Sequence, residues 1–449
     1  MIKKKIIFTQ LDINQVEEIL LNNMQKELLN LLREGIKPAT GCTEPIAVAY
    51  AVATARDQVN GQLESLDIQV DPNIYKNGLM VTIPGTKEKG LIAGGVLGFI
   101  TGDPKKELRV IDNITENDLD KARQIIHQQR VKLSLKENYQ GLYIEVILVT
   151  DESKARVIIK DSHLNIVSIE KIDRKENFKP FLIENNNINP IIKTIQKYEL
   201  KELIKFTNEI PIDELDFLKE GIKMNLAIAE EGLKIENGVG AKFIEMVEEG
   251  LMANNVIGRA QILCSAAAQA RMSGSRLPVM STAGSGNHGI TAFLTPFAVA
   301  EKKNIAEEKL VRSLVLTNLI TLFIKSYTGT LSAMCGCGVA AGTGASAGIV
   351  YLLDGNKDQI LGAMYNMVGS IAGIICDGAK EGCAYKLALA SGWAVQSAIL
   401  SIKGAIINKN DGILAGNFKE LFKNLGYTCN PGMVPTDEAI LKVMMEKEN

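Results

Sequence analysis

The sequence carries almost no net charge and no block of lysines and arginines: 50 basic against 52 acidic residues leave a formal charge of −2. Neither a global nor a local field favours nucleic acid, so that partner is not expected. The N-terminus, MIKKKIIFTQLDINQ, lacks the longer apolar region and the small-residue cleavage site of a secretory signal. A cytoplasmic, reducing setting is therefore expected, with the seven cysteines unpaired. Continuous apolar runs are missing too. Segments 277–300, 326–353 and 359–376 contain no Asp, Glu, Lys or Arg, yet all are rich in Gly, Ser, Thr or Asn. They read as core and site lining, because a membrane span is more evenly apolar. There is no internal repeat, no low-complexity tract and no lysine motif suited to a pyridoxal phosphate Schiff base.

What is present is the composition of a globular protein: 449 residues, 46% apolar and 23% charged. The length suffices for about two or three domains with a large core. The character changes near residue 200. Before it, QLESLDIQV, LMVTIP, RVKLSLKE and LYIEVILV read as strands, and ARVIIK-DSHL-NIVSIE as a β-hairpin. Residues 12–34 read as a helix with Asp12 at its cap, and 45–56 as a second with Pro45 in its first turn. After NNNINP (185–190), helical spacing runs through 212–234, 242–270, 304–327 and 381–402, broken by glycine-rich turns. The expected fold is α+β: a helical segment 1–60, a mixed α/β domain 61–190, and a mostly helical catalytic domain 191–449.

The cysteines sit in those turns. Cys376 and Cys383 flank a turn with Asp377, Gly378 and Gly382; Cys335 lies beside Gly336 and Gly338, where backbone can approach a bulky group. Three convergent thiolates suit an iron–sulfur cluster with one open iron. Cys337 or Cys429 as a fourth ligand would suit zinc, and small apolar packing would need no metal at all. STAGSGNHGI offers the donors of an anion cradle before a helix expected to start near Thr291, although it also reads as a plain connection. Arg271 and Arg276, close upstream, are alternative carboxylate clamps. In ATGCTEP, the helix dipole favours a Cys42 thiolate and Glu44 opposes it; a cysteine in a capping turn with no chemistry is the bland reading.

Taken together, KPATGCTEPIAVAYA, STAGSGNHGI, MCGCGVAAGTGAS and IICDGAKEGC resemble the L-cysteine desulfidase family, a relative of the bacterial iron–sulfur L-serine dehydratases. The resemblance covers nearly the whole chain. It implies a [4Fe–4S] cluster held by Cys335, Cys376 and Cys383, with Cys337 as the alternative to Cys335. It implies Cys42 as the catalytic base, standing where the dehydratases have histidine in Ser-Ser-Ser-His-Thr. It implies that Thr43, Ser285, Gly286, Asn287 and His288 bind substrate. The activity implied is β-elimination of L-cysteine to pyruvate, ammonia and hydrogen sulfide. An L-serine dehydratase on the same scaffold and a non-catalytic cluster sensor are the alternatives. The expected partner is a small amino acid; no membrane is expected, and self-association is left open.

Overall fold

The computed structural model describes residues 10–136, 139, 141–181, 193–329 and 331–447. The NNNINP stretch lies outside the described residues. In the first part, helix α1 (Gln10–Gly35) leads through the short strand β1 (Pro38–Ala39) into α2 (Thr43–Arg56), β2 (Leu63–Val70), α3 (Pro72–Gly78), α4 (Gly90–Thr101) and α5 (Glu116–His127). Strands β3 (Val131–Leu135), β4 (Tyr143–Thr150), β5 (Ser153–Lys160) and β6 (Ile166–Asp173) complete a five-stranded sheet in the order β3-β2-β4-β5-β6. Only β2 and β3 are parallel, because the α3–α5 crossover joins them; the other pairs are antiparallel. The inward residues Leu66, Ile68, Ile144, Val146, Leu148, Val157 and Ile159 pack under Val48, Ala51, Val52 and Ala55 of α2.

The second part is helical: α6 (Leu200–Glu209), α7 (Asp216–Gly232), α8 (Val239–Glu248), α9 (Val256–Met272), strand β7 (Val279–Met280), α10 (Gly286–Lys303), α11 (Glu307–Thr328), α12 (Gly342–Leu352), α13 (Lys357–Ile371), α14 (Cys383–Ile402), α15 (Phe418–Cys429) and α16 (Val434–Glu446). One continuous core runs through it and takes in Leu28, Leu31, Leu32 and Ile36 from the end of α1, whereas α2 belongs to the core of the sheet. Helix α11 is long and apolar enough to cross a membrane, but 89% of its apolar window is buried within the protein. The three uncharged segments are mostly buried, as their composition predicts.

Four local expectations are corrected. LMVTIP is not a strand: among the described residues it makes one isolated bridge, Thr82 to Lys89, because Pro84 has no N–H and Gly85 turns with φ +72°. Asp12 lies inside the first turn of α1, not at its cap. The 242–270 stretch is two helices: Gly250 at φ +74° ends α8, and Asn255 Oδ1 caps α9 by accepting from Ile257 N and Gly258 N. Helix α10 begins at Gly286, not near Thr291, since Ser285 is extended and its carbonyl already accepts from Gly289 N.

Candidate active site

Two small backbone pairings bring the motifs together. β1 pairs antiparallel with β7, Pro38 facing Met280 and Ala39 facing Val279. Ser281 N donates to Lys37 O (2.9 Å) and Ala283 N to Gly35 O (2.8 Å). The chain entering α2 is thereby tied to the chain entering α10. Ala283 and Gly284 follow with φ +50° and +77°, and Thr282 and Ser285 exchange backbone hydrogen bonds across them. This tight turn aims the first turn of α10 inward. The second pairing joins the cysteine turns: Met334 bridges Ile375, Cys335 N donates to Ile374 O (2.8 Å), and Cys376 N to Ala333 O (2.6 Å). Cys383 opens α14, and a π turn at Cys337–Ala341, closed by Ala341 N on Gly336 O, leads into α12.

One pocket results. Cys42, Thr43 and Glu44 line it from the N-terminal part, with Asn77; Ser285, Asn287 and His288 line it from α10. Cys335, Gly336, Cys337, Cys376 and Cys383 form its opposite wall, with Lys325 and Lys386. Every site residue expected from sequence except Gly286 thus lines this pocket; Gly286 opens the helix behind it, where a Cβ would overlap the Arg271 guanidinium. Of the two arginines, only Arg271 reaches it. Arg276 is exposed and donates to Gly85 O.

At Cys42 the opposing influences on the thiol resolve toward protonation. Its Sγ donates to Glu44 Oε2 at 2.7 Å, and both residues are 4% exposed. Burial and then the Glu44 charge push the thiol well above its ordinary range, with Arg271 pulling the other way. Glu44 is the anion of the pair. Burial alone would raise its carboxyl, but His163 when protonated, the Cys42 S–H and Asn77 Nδ2 (3.1 Å) hold it low, while burial pushes His163 itself below its ordinary value. His163 reaches this place from the tip of the β5–β6 hairpin, and among the described residues its Nε2 has no hydrogen-bond partner.

The Ser285 side now has defined roles. Arg271, buried, donates through Nη1 to Asn287 Oδ1 (3.0 Å) and through Nη2 to Gly41 O (2.5 Å). Gly41 needs its φ of +67°, and a Cβ there would overlap Pro84. Burial and the Lys325 ammonium push His288 down to about 3, so the ring is neutral. Its Nδ1 lies 3.1 Å from Thr282 O and must carry the proton, which leaves Nε2 as an acceptor beside the cysteine turn.

Among the cysteines, Cys335 is drawn down to about 6, chiefly by the S–H of Cys337, which is itself pushed up. All seven cysteines are free thiols. Among the described residues no three His, Cys, Asp or Glu side chains close on a point as one metal ion would require. Three of the four thiols on this wall would each take a separate iron of a cluster and leave one iron open, an arrangement that does not need the single meeting point of a tetrahedral zinc ion.

In the sequence Glu44 reads as a brake on Cys42 and a support for the helix start, and Asn77, His163, Lys325 and Lys386 are not singled out. Lys325 had a legible signal: it is a lone charge between TLFI and SYTGT in an apolar helix. His163 had none, since a histidine in a polar hairpin loop reads as surface.

The model of the serine dehydratase alpha chain family matches residues 105–442, so the match includes β3–β6 as well as the helical part. A UPF0597 protein of Clostridium tetani is 44% identical over 431 residues, covering 95% of this chain and all of that protein. A UPF0597 protein of Caldanaerobacter subterraneus subsp. tengcongensis is 40% identical over 433 residues, covering 95% and 100%. One of Clostridioides difficile is 39% identical over 420 residues, covering 93% and 98%. On this family match and these relatives, the chain belongs to the serine dehydratase alpha chain family, among the UPF0597 proteins.

Proposed function

We propose that this protein is a carbon–sulfur lyase that eliminates sulfide from L-cysteine. The carrying observation is the convergence of Cys42, the first turn of α10 and the cysteine wall on one pocket. Cys335, Cys376 and Cys383 would hold a [4Fe–4S] group; Cys335 is preferred over Cys337 because the Met334–Ile375 bridge sets its backbone alongside that of Cys376. When bound, such a group with an open iron supplies a Lewis acid for the departing sulfur.

The chain's own residues handle the proton. Cys42 rests as a thiol, so it first passes its proton to Glu44 Oε2, along the hydrogen bond already present. The thiolate then removes the α-proton of L-cysteine as the carbon–sulfur bond breaks and sulfide leaves. Aminoacrylate tautomerises to an imine, and water releases pyruvate and ammonia. A positioned base of this kind contributes roughly 10²–10⁴-fold. The N–H groups opening α10 receive the substrate carboxylate. Thr43 Oγ1, 3.3 Å from Glu44 Oε2, helps hold that carboxylate for the Cys42 proton.

The test is Cys42→Ser in anaerobically reconstituted protein. Pyruvate formation from L-cysteine should fall by at least about a hundredfold, with iron and sulfide content unchanged. Loss of iron in step with activity would make Cys42 a ligand and refute its role as base. The family match favours L-serine, with hydroxide as the leaving group, as the second reading.

A further inference from the structure

Three cations line the pocket, and two are committed. Arg271 donates through its two Nη atoms to Gly41 O and Asn287 Oδ1, and its Nε alone lacks a partner among the described residues. Lys386 pairs with Asp377 and donates to Ile375 O (2.8 Å). Lys325 is different. It lies in the last turn of α11, is 5% exposed, and lines the pocket. Among the described residues no carboxylate comes within ion-pair distance of it and its Nζ makes no hydrogen bond; burial pushes its pKa down, and the nearby groups that can carry negative charge are the thiols of Cys429, Cys337, Cys376 and Cys335. A buried ammonium without an anion is costly, and such groups are kept where a ligand supplies the missing charge.

Its surroundings say which ligand. A Cβ on Gly336 would lie 3.3 Å from Lys325 Nζ and would overlap His288 Nε2. The ammonium therefore sits where the Cys335–Cys337 turn meets the first turn of α10. That helix start offers N–H groups and the positive end of its dipole, but no side-chain charge of its own. A helix N-terminus and an unpaired ammonium facing one pocket together make a site for a small carboxylate.

Resting on the reading of this pocket as an amino-acid site, we infer that Lys325 binds the carboxylate of the substrate and makes the pocket select α-amino acids over their uncharged analogues. His288 Nε2, an acceptor, complements it by facing the substrate's ammonium end.

L-alanine and L-alaninamide test this, because both lack a leaving group and bind without turnover. Their dissociation constants are measured calorimetrically on reconstituted wild type, Lys325→Met and Lys325→Gln. Wild type should prefer L-alanine. Either neutral variant should lose about thirtyfold or more for L-alanine, as removing one partner of a buried charge pair does, with L-alaninamide unchanged and iron content intact. Lys325→Arg should recover part of the loss. An unchanged preference for L-alanine in whichever neutral variant folds, or iron lost with both ligands bound as in wild type, would make Lys325 a counter-charge of the cysteine wall and overturn the inference. Wild type that binds neither ligand would overturn it as well. Lysine-dependent binding of L-alanine by a wild type that makes no pyruvate would leave this inference standing and remove the lyase reaction alone.

Discussion

Cys42 and Glu44 stand two residues apart and share one proton at 2.7 Å. Two consequences follow at this scale. If the thiol must hand its proton to Glu44, then Glu44→Gln removes the acceptor and pyruvate formation should fall by at least about a hundredfold. If the carboxylate only suppresses the thiolate, the same substitution should lower the thiol's pKa and raise the rate at neutral pH. The sign of the change in kcat/KM separates the two. The second consequence concerns stability. The Glu44 carboxyl is depressed from 4.5 in the folded state, so the folded protein binds its proton less readily than the unfolded chain does. Its contribution is fully present above pH 4.5 and is lost as pH falls below it. The gap in urea midpoint between wild type and Glu44→Gln should therefore narrow below pH 4.5; a gap independent of pH would mean that packing carries the difference. Sequence showed that both residues belong to a helix start, but not which effect on the thiol wins, because that depends on burial and on His163 arriving from another element.

At the scale of elements, the position of Cys42 depends on how α2 lies on α4. The two helices approach closely because α4 presents Gly94 and Gly98. A Cβ at Gly98 would stand 2.7 Å from Ala49 Cα, against backbone that cannot turn aside. Gly98→Ala should cost about 1–3 kcal/mol by overpacking, more than the up to about 1 kcal/mol that alanine gains over glycine in a helix. A lower urea midpoint at unchanged slope, together with reduced turnover from a displaced Cys42, is the expected result. An unchanged or higher midpoint would show that α2 can move without strain. Elements of strong period were readable: β2, β4, the β5–β6 hairpin and the α14 helix fall close to where alternation or helical spacing places them. The start of α10 was not. Glycine, serine and asparagine at 284–287 have low helix propensity, and that turn becomes helical because β1–β7 pairing fixes the chain before it.

Across the whole molecule, the candidate site is built between two cores. From Ala47 onward α2 rests on the core of the sheet, while Cys42 itself packs with Val81 and Met272 against Ala379 and Cys383; α10, α11 and the turn from Met334 to Ala340 belong to the helical core. The motif residues were legible in the sequence because glycine-flanked cysteines and an uncharged Ser-Gly-Asn-His turn are unusual together. Their convergence was expected from the family resemblance, but not how it is reached, since that comes from backbone pairing between short segments far apart in the chain. His163 emerged only with the packing, whereas Lys325 stands out in the sequence as a lone charge in an apolar helix. The measurement that bears most directly on the central claim is anaerobic pyruvate and sulfide release by reconstituted protein, with L-cysteine and L-serine in competition. The account predicts equal amounts of pyruvate and sulfide from L-cysteine, a kcat/KM for L-cysteine above that for L-serine, and loss of both products in Cys42→Ser. Pyruvate from L-serine with no sulfide from L-cysteine would contradict it, and would assign this pocket to the elimination of hydroxide instead.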